Sequence, residues 1–284
     1  MMKTIEDINQ LRKTVQTWRD QGLRICFVPT MGNLHQGHLQ LMDKARQIAD
    51  KVVASIFVNP LQFGENEDFG RYPRTFEADC WQLQQHQVDA VFFPSVETMY
   101  PNGMKRQTIV EVPNELTHLL CGASRLGHFT GVSTVVTKLL NLVQPDCAVF
   151  GEKDYQQLLV VQRLVTDLCL PIDIIPAPIC REDDNLAMSS RNQYLTPEQR
   201  QLAPQLFVCL QWIAQQLQAG SRDFEKWSTE AYKQLAAIGF KPDYVDIRRA
   251  ADLQLPNSED TDFVILVAAF LGQTRLIDNI QLSV

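Results

Sequence analysis

The chain has 284 residues, long for one domain against the usual ~100 to 200, so one large and one smaller domain is the default. Its 26 Lys plus Arg against 33 Asp plus Glu give a net charge of -7 and a pI near 5.3, which disfavours a nucleic-acid partner, since that usually needs a basic face, and leaves small solutes. The seven cysteines (Cys26, Cys80, Cys121, Cys147, Cys169, Cys180 and Cys209) are odd in number and contain no C-x-x-C; Cys26, Cys147 and Cys169 sit in apolar runs as small hydrophobes, and no run approaches the ~18 apolar residues of a membrane span.

That cysteine usage predicts a reducing cytoplasm. The opening "MMKTIEDINQLRKTV" has helical spacing and charges where a signal peptide needs an apolar stretch, so the expectation is a soluble, unprocessed, cytoplasmic protein with no membrane partner. Apolar Ile5, Ile8, Leu11, Val15 and Trp18 recur at helical spacing, and Thr4 with Asp7 fits a helix start, so a helix is predicted before the first strand.

Five apolar runs follow: 23–29, 51–60, 88–94, 146–154 and 172–179, each separated from the next by a helical pattern. That alternation predicts an α/β fold, a doubly wound parallel sheet covered on both faces. The short run "TIVEV" (108–112) reads as a further strand without a clear neighbour. Beyond Pro176 and Pro178 the pattern changes to helices at 197–219 and 223–238 and then to strands joined by polar loops, predicting a boundary near 178: domain one at 1–178, a smaller α+β domain at 179–284. Thr196, Pro197 and Gln199 in "LTPEQ" form a capping box for the first of those helices.

In a doubly wound sheet ligands bind beyond the carboxyl ends of the strands. The chemically distinctive loops fall there: "PTMGNLHQGH", "NPLQFGENEDF", "GEKDYQQL" and "CREDDNLAMSSRN". In the first, Gly32 lets the backbone approach a ligand, Gly37 leaves room between the histidines, and the helix start offers free N–H groups to phosphate. His35 and His38 can donate to phosphate oxygens, and an imidazole titrating near neutrality could hand a proton to departing pyrophosphate. By itself H-x-G-H also fits two solvent histidines or a helix cap.

Lys153 suits a triphosphate, Asp154 ribose hydroxyls, and Gly151 a close backbone approach. Ser189 and Ser190 supply hydroxyls beside the Arg191 fork. Each loop alone reads equally as a solvated turn; three at one sheet edge read as a site. Gln62 and Gln157 are neutral amides that can orient hydroxyls and a carboxylate without a strong ion pair. Arg125 and His128 are candidates for the substrate edge or for structure, and His86 and His118 read as surface or packing residues. The acidic run 64–69 reads as a solvated charge run before it reads as water-mediated help for Mg²⁺, and no metal ligand is assigned.

Together "PTMGNLHQGH", "FVNPLQF", "YPRT", "GEKDYQQ", "AMSSRN" and "GQTRLIDN" resemble the pantothenate synthetase family, the pantoate–β-alanine ligases, over nearly the whole chain. The resemblance implies a Rossmann-like amino-terminal domain of the nucleotidylyltransferase type that binds ATP and pantoate, a carboxy-terminal lid domain, and a homodimer. It implies that (R)-pantoate attacks Mg²⁺-bound ATP to give a pantoyl adenylate and pyrophosphate, and that β-alanine then displaces AMP to give pantothenate, a step in coenzyme A biosynthesis.

By position it implies ATP binding at Met31, Gly32, Asn33, Leu34, His35, Gln36, Gly37 and His38, at Gly151, Glu152, Lys153 and Asp154, and at Met188, Ser189, Ser190 and Arg191. His38, His35, Lys153 and Arg191 carry the catalytic roles, with His38 as proton donor, and Gln62 and Gln157 hold pantoate, Gln62 also lying where β-alanine enters. Cys180 stands where the family commonly has valine, at a position expected to meet adenine through its backbone. Three other readings stay open: a class I aminoacyl-tRNA synthetase, which would normally carry a basic RNA-binding region; another H-x-G-H nucleotidylyltransferase; and a zinc-binding structural module using His35 and His38 with a distant cysteine.

Overall fold

The computed structural model describes residues 2–64 and 67–284. Six parallel strands form one sheet in the order β1-β4-β3-β2-β5-β6: β1 (Lys3–Ile5), β2 (Ile25–Thr30), β3 (Lys51–Ile56), β4 (Ala90–Phe92), β5 (Cys147–Gly151) and β6 (Asp173–Ala177). Both faces of β2 are buried, as its continuous apolar run requires. Ile25 and Phe27 join one core with α1 (Ile8–Asp20), while Cys26 and Val28 join the opposite core with α2 (Gln36–Ile48) and α3 (Phe76–Gln85). Three single-turn helices, α4 (Val96–Met99), α5 (Asn114–Thr117) and α6 (Cys121–Ser124), lead to α7 (His128–Val143), which with α8 (Tyr155–Asp167) completes the first core.

The chain leaves β2 toward β3 on one side and returns at β5 on the other, so the order reverses between β2 and β5. This is the switch point where doubly wound sheets bind ligands. The loops with His35 and His38 and with Lys153 start there.

The second unit is a three-stranded antiparallel sheet of β7 (Lys241–Arg249), β8 (Asp262–Leu271) and β9 (Thr274–Ser283), with α9 (Pro197–Leu202), α10 (Gln205–Gln218) and α11 (Phe224–Ala237). Strict alternation along β8 serves two cores. Phe263, Ile265, Val267, Ala269 and Leu271 pack with α10 and α11, whereas Val264 and Leu266 pack with Leu120 and Tyr155 of the first unit. The Tyr155 hydroxyl also donates to the Ala250 carbonyl at 2.9 Å, and Gln254 Nε2 to the Glu115 carbonyl at 3.0 Å.

Several expectations are corrected. A strand precedes the first helix: Thr4 lies in β1, paired with Val91, and Asp7 caps α1 by accepting from Gln10 N at 2.9 Å. Residues 108–112 form no strand, because the Val110 N–H donates to Thr134 Oγ1 on α7 at 3.0 Å and Val112 is buried in the core. The helix expected at 197–219 is split, with its capping box intact, where Pro204 interrupts the backbone ladder. Cys26 and Cys147 are buried, but Cys169 is exposed at φ 52° in the turn after α8. No described helix is long and apolar enough to cross a membrane.

Candidate active site

A cavity of about 1150 Å³ opens at the switch point and extends to the second sheet. Met31, His35, Gly37, His38, Gly151, Lys153, Asp154, Gln157, Cys180, Met188, Ser189, Ser190 and Arg191 line it, so three sequence-distant loops meet in one space. Gly32, Asn33, Leu34, Gln36, Gln62 and Glu152 do not line it, and most of these hold its walls.

The first wall depends on Asp79, 1% exposed, whose carboxylate accepts from Asn33 N at 2.9 Å and Leu34 N at 2.8 Å. Gly32 has φ +79°, and a Cβ there would lie 2.9 Å from Ile56 Cγ2 and 3.0 Å from Asp79 Oδ2. Only glycine makes this turn against Asp79 without strain. Leu34 packs into the core, and Gln36 is exposed.

His35 caps α2: its Nδ1 accepts from Gly37 N at 3.2 Å, and His38 Nδ1 lies 3.4 Å from His35 N. Both Nδ1 atoms being acceptors, each neutral ring carries its proton on Nε2. The ring centroids are 4.1 Å apart. Burial, helped by the Lys153 charge, pushes His35 down to about 4. Burial, then His35 and Lys153, hold His38 well below its ordinary value. The expectation of an imidazole titrating near neutrality is therefore corrected: burial keeps both rings neutral Nε2–H donors.

Lys153 follows β5 in a 3-10 turn, Glu152–Asp154, and makes no salt bridge among the described residues. Burial lowers its affinity for a proton, Asp154 opposing and Arg191 adding to that effect. An unpaired, desolvated ammonium has much to gain from an anion. Arg191 is already engaged: Nε and Nη2 donate to the two Asp68 oxygens at 3.0 and 2.9 Å. Glu67 likewise receives Arg125 Nε and Nη2, both at 2.6 Å. The acidic run is therefore not merely solvated, since two of its carboxylates clamp two arginines; Glu65 and Asn66 of that run lie outside the described residues.

The three glutamines differ by surroundings. Gln157 lines the cavity. Gln156 is buried, accepting from Cys121 N at 3.1 Å and donating to the Leu116 and Leu119 carbonyls at 2.9 and 2.8 Å. Gln62 stands behind Met31, donating from Nε2 to the Met31 sulfur at 3.1 Å and accepting from Asn59 Nδ2 at 3.2 Å. Its carbonyl accepts from His128 Nδ1 at 2.8 Å, while His128 Nε2 faces Arg125 Nη1 at 3.0 Å. Burial and the Arg125 charge push His128 down to about 4, so it is neutral and linked to the wall. His86, read as a surface residue, pairs with Asp43 at 2.6 Å, and His118 is exposed.

The Ser190 hydroxyl donates to the Asn33 carbonyl at 3.2 Å, joining the loop after β6 to the first wall, and Ser189 Oγ accepts from Arg191 N at 3.2 Å. Cys180 pairs through its carbonyl with Met188 N at 3.0 Å. Sequence reading missed Asn59, Asp79 and the polar residues of β9 that face the cavity, Thr274, Arg275, Asp278 and Asn279. The only cue to the latter was "GQTRLIDN" at the end of the chain, far from the motif loops.

Paired neutral imidazoles at a helix start, a lysine with no salt bridge among the described residues and an arginine fork meet at the switch point of a Rossmann-like sheet, the arrangement of an H-x-G-H nucleotide-binding fold. The family model for Pantoate-beta-alanine ligase matches residues 3–281, and the chain belongs to that family. It is 56% identical over 281 residues to the pantothenate synthetase of Pseudomonas putida (strain GB-1), covering 99% of this chain and 98% of that one. The crystal structure of pantothenate synthetase from Thermus thermophilus superposes with a TM-score of 0.91 at 44% identity, covering 98% of this chain and 99% of that one. Pantoate-beta-alanine ligase from Francisella tularensis, solved in complex with beta-gamma ATP and beta-alanine, gives 0.84 at 34% identity, covering 99% and 97%.

Proposed function

We propose that the protein condenses (R)-pantoate with β-alanine at the expense of ATP, through a pantoyl adenylate. The observation that carries this reading is the meeting of two neutral Nε2–H imidazoles, the unpaired Lys153 and the cavity-facing Gln157 in one space. A pantoate carboxylate oxygen attacks the α-phosphorus of ATP as the bond to pyrophosphate breaks. His35 and His38 donate to the phosphates as charge develops, Lys153 and Arg191 neutralise the departing pyrophosphate, and Asp154 accepts from the ribose hydroxyls. The amine of β-alanine then attacks the acyl carbon, AMP leaves, and the amine loses its proton.

Gln157 and Gln62 orient pantoate. A thioether is a weak acceptor, so Gln62 Nε2 exchanges its sulfur contact for a carboxylate at small cost once the flexible Met31 side chain turns aside. Cys180 meets adenine through its backbone. Mg²⁺ comes with the ATP: among the described residues no three His, Cys, Asp or Glu side chains group to hold a metal, Glu67 and Asp68 are taken by arginines, and Mg²⁺ is commonly held by substrate phosphates. We assign residues 1–178 to the ATP- and pantoate-binding domain and 179–284 to the lid, with a second copy of the chain as partner in a cytoplasmic homodimer.

The test is isotope exchange. With Mg²⁺, ATP and pantoate but no β-alanine, labelled pyrophosphate should enter ATP, and omission of pantoate should abolish it. Cleavage of ATP to ADP and phosphate, or exchange supported by an α-amino acid instead of pantoate, would overturn the proposal.

A further inference from the structure

Among the described residues the Lys153 ammonium makes no salt bridge and no side-chain hydrogen bond, and the 3-10 turn bearing it has no side-chain cap of its own. What holds this turn comes from the other end of the chain. Asn279 on β9, 2% exposed, donates from Nδ2 to the carbonyls of both Glu152 and Lys153, at 2.8 and 3.0 Å. Because both partners are acceptors, only the amide nitrogen can face them.

Asn279 is itself held. Its N–H donates to Asp278 Oδ1 at 2.8 Å, and Asp278, 4% exposed, receives Arg181 in a two-pronged pair at 2.7 and 2.9 Å. Arg181 Nη2 also reaches the Asn279 carbonyl at 3.3 Å, and its guanidinium lies 4.0 Å over the Phe207 ring on α10. A continuous chain thus runs from α10 through Arg181, Asp278 and Asn279 to the backbone of the lysine turn. Asp278 and Asn279 are buried and Arg181 is half-buried, and the hydrogen bonds that join them are directional and satisfied, the condition under which a polar network fixes geometry.

We propose that Asn279 is a positioning residue for adenylate formation, setting the place of the Lys153 ammonium through the turn that carries it, and that the second unit thereby completes the phosphate site without itself touching the reacting atoms through Asn279. This rests on the adenylate reading above. Misplacing a phosphate cation by about 1 Å is enough to cost up to a hundredfold in turnover, and loss of two hydrogen bonds from a short turn permits that displacement.

The experiment is a double-mutant cycle in pyrophosphate exchange, with thermal unfolding recorded for every variant. Asn279→Ala should lower the exchange kcat about tenfold with little change in the KM for ATP. Asn279→Asp keeps the volume but turns carboxylate oxygens toward two carbonyls, and should be slower than Asn279→Ala; a packing role predicts the reverse order. In a Lys153→Ala background, Asn279→Ala should change the residual rate by less than about twofold. A further tenfold loss there would overturn the proposal.

If the Lys153→Ala rate is too low to compare, competitive acetylation of Lys153 as a function of pH, read by mass spectrometry, decides instead. Asn279→Ala should raise the apparent pKa of Lys153 toward the ordinary lysine value as the turn loosens, and an unchanged profile would count against the idea. The two readings fail separately. Absence of pantoate-dependent exchange in the parent protein refutes the adenylate function, whereas parental exchange with an additive cycle refutes only the role of Asn279.

Discussion

Arg191 and Asp68 are locked fork to fork at the cavity wall, with Nε to Oδ2 at 3.0 Å and Nη2 to Oδ1 at 2.9 Å. Any pyrophosphate that uses this guanidinium competes with the carboxylate. Asp68→Asn should therefore tighten product inhibition by pyrophosphate, by about fivefold, the scale of a partly exposed ion pair worth up to ~1 kcal/mol. Weaker inhibition in the variant would mean that Asp68 orients Arg191 for the phosphate and does not compete with it.

Removing the His38 imidazole deletes a preorganised donor at the phosphates. His38→Ala should cut exchange by roughly a hundredfold with the fold intact, an effect on the order of 3 kcal/mol. His35→Ala should lose a similar factor and also the cap at the start of α2. His86→Ala, which breaks only the His86–Asp43 pair between α3 and α2, should retain full activity and lose at most ~1 kcal/mol of stability. Equal activities for the His38 and His86 variants would remove the catalytic assignment.

His128 makes stability depend on pH. Its folded value is pushed down to about 4 against roughly 6.5 in an unfolded chain. Between those values the unfolded state binds the proton and the folded state does not, so stability contributed by the neutral ring is present above pH 6.5 and lost as pH falls toward 4. At pH 5 the loss is about 2 kcal/mol. His35 acts in the same direction over the same window. Urea unfolding of His128→Asn at pH 7 and pH 5 should show a pH penalty smaller than the parent's by about that amount, and an equal penalty would refute the assignment.

Adjacent glutamines on α8 should part company. Gln156→Ala strands the Cys121 N–H and loses the donor shared by the Leu116 and Leu119 carbonyls, which at ~2 to 4 kcal/mol should lower the melting temperature by roughly 5 to 10 °C. Gln157→Ala, at the cavity wall, should leave melting unchanged and raise the KM for pantoate. Matching effects from the two substitutions would contradict the separation.

What could be read from sequence was local chemistry. The loop from Pro29 to His38 announces itself because glycine, histidine and a helix start coincide within ten residues, and the buried strands announce themselves by continuous apolar runs. What could not be read depends on partners far along the chain. Glu67 and Asp68 look like a solvated charge run until Arg125 and Arg191, 58 and 123 residues away, are brought against them. His35 and His38 look poised to titrate until burial beside Lys153 neutralises them. Residues 108–112 alternate like a strand, yet a single Thr134 hydroxyl on α7 takes the Val110 N–H that a ladder would need. Thr4 resembles a helix cap only while its pairing to Val91 is unknown. Asn279 showed only as the last letter of "GQTRLIDN", with nothing to point to its acceptors, which are main-chain carbonyls 127 and 126 residues away.

The seam between the two sheets contains no shared strand. Tyr155 to Ala250, Gln254 to Glu115, Asn279 to the lysine turn and Ser190 to Asn33 are bonds from side chains to carbonyls, laid with the Arg191–Asp68 pair and the Cys121–Tyr244 contact around the small apolar contact of Leu120 and Tyr155 with Val264 and Leu266. Parting the units would sever these ties and wet that contact while leaving every ladder whole, so the lid proposed above would swing as a jaw with stiff arms and a breakable catch. A nucleotide reaching from His38 to Ser189 would lie across the bite, and its own adhesion would then govern how long the jaws stay shut.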